Sequence, residues 1–209
     1  MLGIHNYWLF IATAILLVIT PGQDTFFILG RSLAGGRSEG ISAALGITAG
    51  SVIHTFAAAL GLSALLATSP YAFMAVKFAG AAYLIYIGVR AWLSRASGLP
   101  GDEVRSDSGR WPAFRQGIFS NLLNPKVALF FLALMPQFID AGSSRKVGAF
   151  LVLGLTFVTL GVIWCLVLAI AAAKLRVAFL RRPSMANVLN KVAGAMFIAL
   201  GLKLATARQ

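Results

Sequence analysis

The chain has few charged residues, one cysteine and two histidines. Charged residues make up only 11% of its 209 residues, whereas 59% are hydrophobic, and the mean hydropathy is +0.85. A soluble domain is about one quarter charged, so this chain has too few charges to cover a surface that faces water. The composition therefore predicts an integral membrane protein.

The scarcity of reactive side chains excludes several kinds of site. Cys165 is the single cysteine, so no intramolecular disulfide can form, and inside an apolar run it is expected to pack as a small hydrophobic residue. The sequence contains no HExxH, GxSxG or paired acidic motif. We therefore expect no catalytic residues, no metal site and no cofactor. A membrane-embedded enzyme and a structural subunit are the alternatives to a transporter.

The excess of basic residues fits a membrane protein better than a nucleic-acid-binding one. The formal net charge is +12, but no RNP-like motif or zinc-finger spacing accompanies it, so no nucleic-acid partner is expected. Eleven Lys and Arg residues fall in gaps on one side of the predicted spans, and four fall on the other. The positive-inside rule places the eleven in the cytoplasm and both termini outside, in the periplasm of a bacterium.

Six apolar stretches are long enough to cross about 30 Å of hydrocarbon as helices. They cover about residues 7–30, 41–67, 71–89, 116–139, 147–173 and 186–202. The sequence thus predicts an all-α, polytopic protein with a single transmembrane domain over 1–209 and a cytoplasmic loop at about 90–115. The first stretch has no Lys or Arg before it, which indicates a retained span and not a signal peptide.

The two halves of the sequence share three short patterns in the same order. Pro-x4-Phe-Phe, Gly-x5-Gly-x-Thr and Lys-x-Ala-Gly-Ala begin at Pro21 and Pro125, Gly40 and Gly148, and Lys77 and Lys191. These matches predict a duplication, with repeat A at about 1–95 and repeat B at about 111–209. Because each repeat holds three spans, the repeats must have opposite orientations in the membrane. Inverted repeats are typical of secondary transporters.

The first span of each repeat is interrupted by a proline and polar residues. The interruptions read ITPGQD at Pro21 and NLLNPK at Pro125, each proline lying 14 residues after Tyr7 or Trp111. At 1.5 Å per residue, each break lies roughly 20 Å from its own face of the membrane, near the midplane. Interrupted spans at matching positions indicate the binding site of a transporter.

We expect the two breaks to bind a zwitterionic amino acid. A half-helix that starts inside the membrane offers free N–H groups to a carboxylate. Asp24 suits an ammonium group or a proton, and Lys126 adds a positive charge. The predicted substrate-binding residues are Pro21, Gly22, Gln23, Asp24, Thr25, Asn121, Asn124, Pro125 and Lys126, and the candidates for proton coupling are Asp24 and His54.

Each of these residues has a structural alternative. Asp24 could cap the restarting helix, and Lys126 could pair with Asp24. His54 could be a packed histidine, and each proline could be a simple kink.

Three groups of residues also resemble the lysine exporter and homoserine–threonine exporter family over nearly the whole chain. They are the run PGQDTFFILGRS from Pro21 to Ser32, the glycines Gly36, Gly40, Gly46 and Gly50, and Asn124-Pro125-Lys126. The resemblance implies an exporter of amino acids or close derivatives in the bacterial inner membrane, coupled to the proton gradient. Lysine itself is not implied, because family members differ in substrate; another small zwitterionic or amphipathic metabolite is the alternative.

The first break departs from the pattern of this family, which reads Pro-Gly-Pro, because Gln23 stands in the third position. The expected partners are an amino-acid substrate, protons and the lipid bilayer. A homo-oligomer is compatible with a six-span unit of this size.

Overall fold

The computed structural model describes residues 2–62 and 109–174 and twelve isolated helical positions between 74 and 93 and between 195 and 202. Within these residues the structure is all-helical, apart from one isolated bridge between Ile4 and Ile139. Most residues of the predicted spans at 71–89 and 186–202 lie outside them. Six spans and an inverted repeat therefore remain predictions.

Five α-helices form the described part of the chain. They are α1 (Tyr7–Ile19), α2 (Gln23–Ala57), α3 (Arg110–Leu122), α4 (Pro125–Leu129) and α5 (Lys146–Lys174). A π-helical turn, Ala58–Leu62, extends α2, and a π-helical turn and a 3-10 turn, Phe130–Leu134 and Met135–Phe138, extend α4.

By length and composition, two stretches of these helices could cross a membrane, namely Lys146–Ala172 and Gln23–Gly61, the second of which is interrupted at Gly36 as described below. The bent pair Arg110–Leu122 and Pro125–Phe138 makes a third if it is counted as one span. Large apolar side chains cover the outer surface, for example Trp8 (81% exposed) and Leu123 (74% exposed). Exposing so much apolar surface to water is unfavourable, whereas lipid tails solvate it at no cost. The predicted membrane location is thereby confirmed.

The first break follows from Pro21 and Gly22. A proline disfavours the helical conformation at the residue before it, and Thr20 is extended (φ −60°, ψ 121°). Gly22 is also extended (φ −164°, ψ −167°), and the helix restarts at Gln23.

The second break has the same local cause. Asn124 is extended (φ −77°, ψ 107°) before Pro125, and its side-chain Oδ1 accepts a hydrogen bond from the Lys126 N–H at 3.0 Å. Pro125 occupies the first helical position, where its missing N–H has no consequence. The helices on either side of this break meet at an angle of 46°. Helices α1 and α3 both have 13 residues, so each interruption follows a helix of the same length.

The predicted gap between the first two spans, about residues 31–40, is helical except at Gly36. Gly36 has φ 72° and ψ −167°, a conformation that only glycine adopts readily. A Cβ on Gly40 would lie 3.2 Å from the Cα of Ser32. In a straight helix these residues would be about 12 Å apart, so the chain doubles back. Helix α2 is therefore a hairpin with an N-terminal arm (23–35) and a C-terminal arm (37–57).

The predicted loop at about 90–115 also ends earlier than expected. Residues 110–115 form the start of α3, which begins at Arg110 after Gly109. Pro112 lies in the first turn of this helix, where a proline is tolerated. Residues 90–92 and 94–108 of the predicted loop lie outside the described residues.

A buried ion pair fastens the α2 hairpin to α3. Arg31 is only 1% exposed, and its Nη1 donates to Oε2 of Glu39 at 3.2 Å. The Arg31 Nη2 donates to the side chain of Gln116 in α3. Glu39 Oε1 accepts a hydrogen bond from the backbone N–H of Gly109 at 2.7 Å. These bonds hold both arms of the hairpin against the start of α3.

Glycines bring the backbones of α2 and α3 into contact. A Cβ on Gly46 would lie 3.1 Å from the Cα of Gly117, and a Cβ on Gly117 would lie 3.2 Å from the Cα of Gly46. Small residues allow such close approach of membrane helices. The close crossing places polar side chains of the two helices, described next, within hydrogen-bond distance.

Candidate substrate site between the two helix breaks

Lys126 joins the two breaks. It is the second residue of α4, and its Nζ donates to the backbone oxygen of Leu17 at 3.1 Å and of Thr20 at 2.9 Å. These oxygens belong to the last turn of α1 and to the break itself, where carbonyls lack the helical N–H partners that follow them elsewhere. The breaks therefore lie side by side, as the sequence predicted.

Asp24, in the first turn of α2, accepts hydrogen bonds from α3. It is only 9% exposed. Its Oδ2 accepts from Nδ2 of Asn121 at 2.8 Å, and its Oδ1 accepts from Oγ of Ser120 at 3.4 Å. Asn121 Oδ1 in turn accepts from Oγ of Ser51 at 3.3 Å. One buried carboxylate is thus held by two donors from the other predicted repeat.

The structural alternatives made Asp24 a helix cap and Lys126 its ion-pair partner. The start of α2 has no side-chain hydrogen bond that caps it, so Asp24 is not a helix cap. The salt bridges among residues 2–62 and 109–174 join Arg31 to Glu39 and His5 to Asp140, and neither involves Lys126.

His54 lies next to this network but does not line the pocket described below. Its Nε2 is 3.3 Å from the backbone oxygen of Asn121. A carbonyl oxygen can only accept, so Nε2 carries the hydrogen in this arrangement. The ring stacks on Phe131, with centroids 5.6 Å apart. His54 and Asp24 are thus both bonded to Asn121, His54 to its backbone oxygen and Asp24 to its side-chain amide.

A small pocket with a cavity volume of about 40 Å³, partly open to its surroundings, lies between the breaks and α5. Its polar lining consists of Asp24, Thr25, Ser51, Asn121 and Lys126. Its apolar lining consists mainly of Leu17, Val18, Ile28, Ile47, Val127, Phe157, Trp164 and Leu168, with Gly161 and Cys165. The predicted site residues that line the pocket are therefore Asp24, Thr25, Asn121 and Lys126.

The other predicted site residues shape the breaks. Gln23 is exposed and donates its Nε2 to the backbone oxygen of Ser120 at 3.2 Å. Gly22 packs under the side chain of Lys126, since a Cβ there would lie 3.3 Å from Nζ. Asn124 caps α4 through Oδ1. Pro21 and Pro125 interrupt the helices, as described above.

Sequence reasoning missed several residues of the site: Ser51 and the apolar residues of α5 line the pocket, and Ser120 donates to Asp24. Ser51 directly follows Gly50 of the glycine series, and Ser120 directly precedes Asn121, so both stood beside residues already singled out. The apolar residues of α5 carry no such signal, because they resemble every other lipid-facing position. Cys165 is buried in an apolar cluster with Ile28 and Ile47, which confirms its prediction as a small hydrophobic residue.

Residues 15–208 match the family model of the LysE type translocators. The chain belongs to this family. The family resemblance inferred from the sequence motifs is therefore confirmed, and LysE type translocators are transporters, not enzymes.

This LysE type translocator is similar along nearly its whole length to curated proteins. It is 33% identical to an uncharacterized membrane protein of Vibrio cholerae. The matched 207 residues cover 99% of this chain and 100% of that protein. It is 31% identical to an uncharacterized membrane protein of Pseudomonas aeruginosa, over 99% of this chain and 97% of that one. It is 30% identical to a leucine efflux protein of Salmonella choleraesuis, over 98% and 96% of the two chains. No solved structure matches it.

Proposed function

We propose that this translocator exports an amino acid with an apolar side chain across the bacterial inner membrane, by secondary transport coupled to protons. The observation that carries the proposal is the mixed lining of the pocket: polar residues at and near the breaks, here called its polar end, and apolar residues largely of α2 and α5, here called its apolar end. A zwitterion with a hydrocarbon side chain combines the same two kinds of group. The excess of basic residues in the predicted cytoplasmic gaps supports periplasmic termini.

The polar end suits both charged groups of an amino acid. The Asp24 carboxylate can accept hydrogen bonds from the substrate ammonium. An ammonium has three N–H donors, and within the described residues Lys126 uses two of them on Leu17 and Thr20. The third is available to the substrate carboxylate, and the uncapped N-terminus of α2 favours the same negative group.

The apolar end suits a branched or aromatic hydrocarbon side chain. Ile28, Ile47, Phe157, Trp164 and Leu168 line it. A charged side chain such as that of lysine would lose its hydration there without gaining a partner among these residues. The relative that is named a leucine efflux protein supports a substrate of this kind.

Asp24 also provides a route to proton coupling. A carboxylate can hold either a proton or the ammonium of the substrate, so binding of one displaces the other. This competition exchanges an entering proton for a leaving amino acid at a single site. His54 serves as the second candidate in this scheme, acting through Asn121.

The proposal is tested with purified protein in liposomes that are loaded with leucine, lysine or glutamate. With the outside more acidic than the lumen, we expect gradient-driven efflux of leucine and none of lysine or glutamate. Asp24→Asn should lower leucine efflux to that of protein-free liposomes. The matched control is Asp140→Asn, which neutralises an exposed acid near the N-terminal bridge.

Two outcomes would contradict the proposal in different ways. Efflux of leucine by Asp24→Asn at the wild-type rate would remove Asp24 from the mechanism. If the wild type exports no amino acid under the gradient, the proposed function itself is wrong.

A further inference from the structure

The ammonium of Lys126 occupies a position that is built for a cation. Helix α1 ends at Ile19, and the carbonyl groups at the C-terminus of a helix together carry about half a negative charge. Two oxygens of this region, on Leu17 and Thr20, lie 3.1 and 2.9 Å from Nζ. Asp24 lines the same pocket and adds a full negative charge.

The residues around Lys126 bury its side chain and leave space for its ammonium group. Its side chain is largely buried, since the residue is only 7% exposed. A Cβ on Gly22 would lie 3.3 Å from Nζ, so the bare backbone of Gly22 leaves the space that the ammonium fills. A buried ammonium is costly unless it is fully paired, and here two backbone oxygens supply the pairing.

Broken helices in other transporters use the same groups to bind an inorganic cation. Unwound carbonyls and the C-terminal ends of half-helices coordinate Na⁺ in those proteins. We propose that Lys126 is a tethered replacement for such an ion: its ammonium fills a monovalent-cation site formed by the backbone oxygens of Leu17 and Thr20, in the pocket that Asp24 also lines. Transport by this protein therefore needs no Na⁺. The transport part of this proposal rests on the proposed function, whereas the cation site does not.

Removal of the lysine should expose the site to a free cation. In Lys126→Ala, the shortened side chain leaves an empty volume and removes the ammonium to which the backbone oxygens of Leu17 and Thr20 are bonded. Na⁺ or methylammonium can enter that volume and restore the lost interactions. In Lys126→Met, the side chain still fills most of the volume but carries no charge, so a free cation has no room.

The experiment measures the midpoint of thermal unfolding of purified full-length protein in choline chloride, sodium chloride and methylammonium chloride at equal ionic strength. We expect equal midpoints for the wild type in all three salts. Lys126→Ala should unfold at a lower temperature in choline and recover by about 3 °C or more in Na⁺ or methylammonium. Lys126→Met should be destabilised equally in all salts. Lys146→Ala, at the start of α5, is the control for loss of a lysine elsewhere.

Equal midpoints of Lys126→Ala in all three salts would overturn the cation site. If neither variant can be purified, the wild type alone tests the proposal. A higher unfolding midpoint of the wild type in Na⁺ than in choline would contradict it, and so would a requirement for Na⁺ in efflux. These results are independent of the substrate. Absence of amino-acid efflux would remove the proposed function and leave the salt-dependent unfolding of Lys126→Ala as evidence for the site.

Discussion

Asn121 connects more of the candidate site than any charged residue does. Its side chain donates to Asp24 and accepts from Ser51, and its backbone oxygen accepts from His54. These partners come from both arms of the α2 hairpin. A buried polar network of this kind stabilises the fold only if its members stay paired, because an unpaired buried donor or acceptor costs about 1–3 kcal/mol.

The space beside Asn121 depends on Gly50. A Cβ on Gly50 would lie 2.7 Å from Oδ1 of Asn121, closer than real side chains approach. We expect Gly50→Ala to displace the Asn121 amide and to lower leucine efflux about tenfold, equivalent to about 1.4 kcal/mol. The control is Gly61→Ala, where an added Cβ meets nothing within 4 Å. Efflux should be measured in liposomes with equal amounts of each variant; unchanged efflux in Gly50→Ala would contradict this role of Gly50.

The helix breaks are the elements that the sequence predicted best. Pro21 and Pro125 restrict the residues before them, so the ends of α1 and α3 follow from local rules. The hairpin at Gly36 could not be located in the same way, because Gly35 and Gly36 are adjacent and only the fold shows which one takes the positive φ. The bonds from Lys126 to α1 also could not be predicted, because every residue has a backbone carbonyl and the sequence does not show which ones accept a hydrogen bond.

The α2 hairpin depends on the buried pair of Arg31 and Glu39. In Glu39→Gln, the guanidinium of Arg31 would stay buried without its carboxylate, and we expect a loss of about 3 kcal/mol in stability. Thermal unfolding in detergent measures this loss. The double variant Arg31→Met with Glu39→Leu, which removes both charges, should be more stable than the single variant. A single variant as stable as the wild type would show that the pair does not fasten the hairpin.

For the whole molecule, alternating access requires the pocket to open to each side of the membrane in turn. Cys165 is the only cysteine of the chain and lines the pocket, so it reports on that opening without any engineered residue. We expect a small thiol-reactive methanethiosulfonate to label Cys165 and to block leucine efflux. Leucine in excess should slow the labelling several-fold, because it occupies the same space.

The readout is the labelled fraction by mass spectrometry, with and without leucine. Cys165→Ala should resist the block while it exports leucine, because alanine keeps a small apolar side chain at this position. Labelling that leucine does not slow would place the substrate elsewhere than in this pocket.

The contact between Gly46 and Gly117 also constrains how the two halves can move. The backbones already touch there, so the helices cannot come closer. Such a crossing behaves as a fulcrum: rotation about it moves the ends of the helices far and the crossing itself hardly at all. We therefore expect the distance between the two glycine backbones to stay constant throughout the cycle, while the pocket on one side widens as the opposite side narrows.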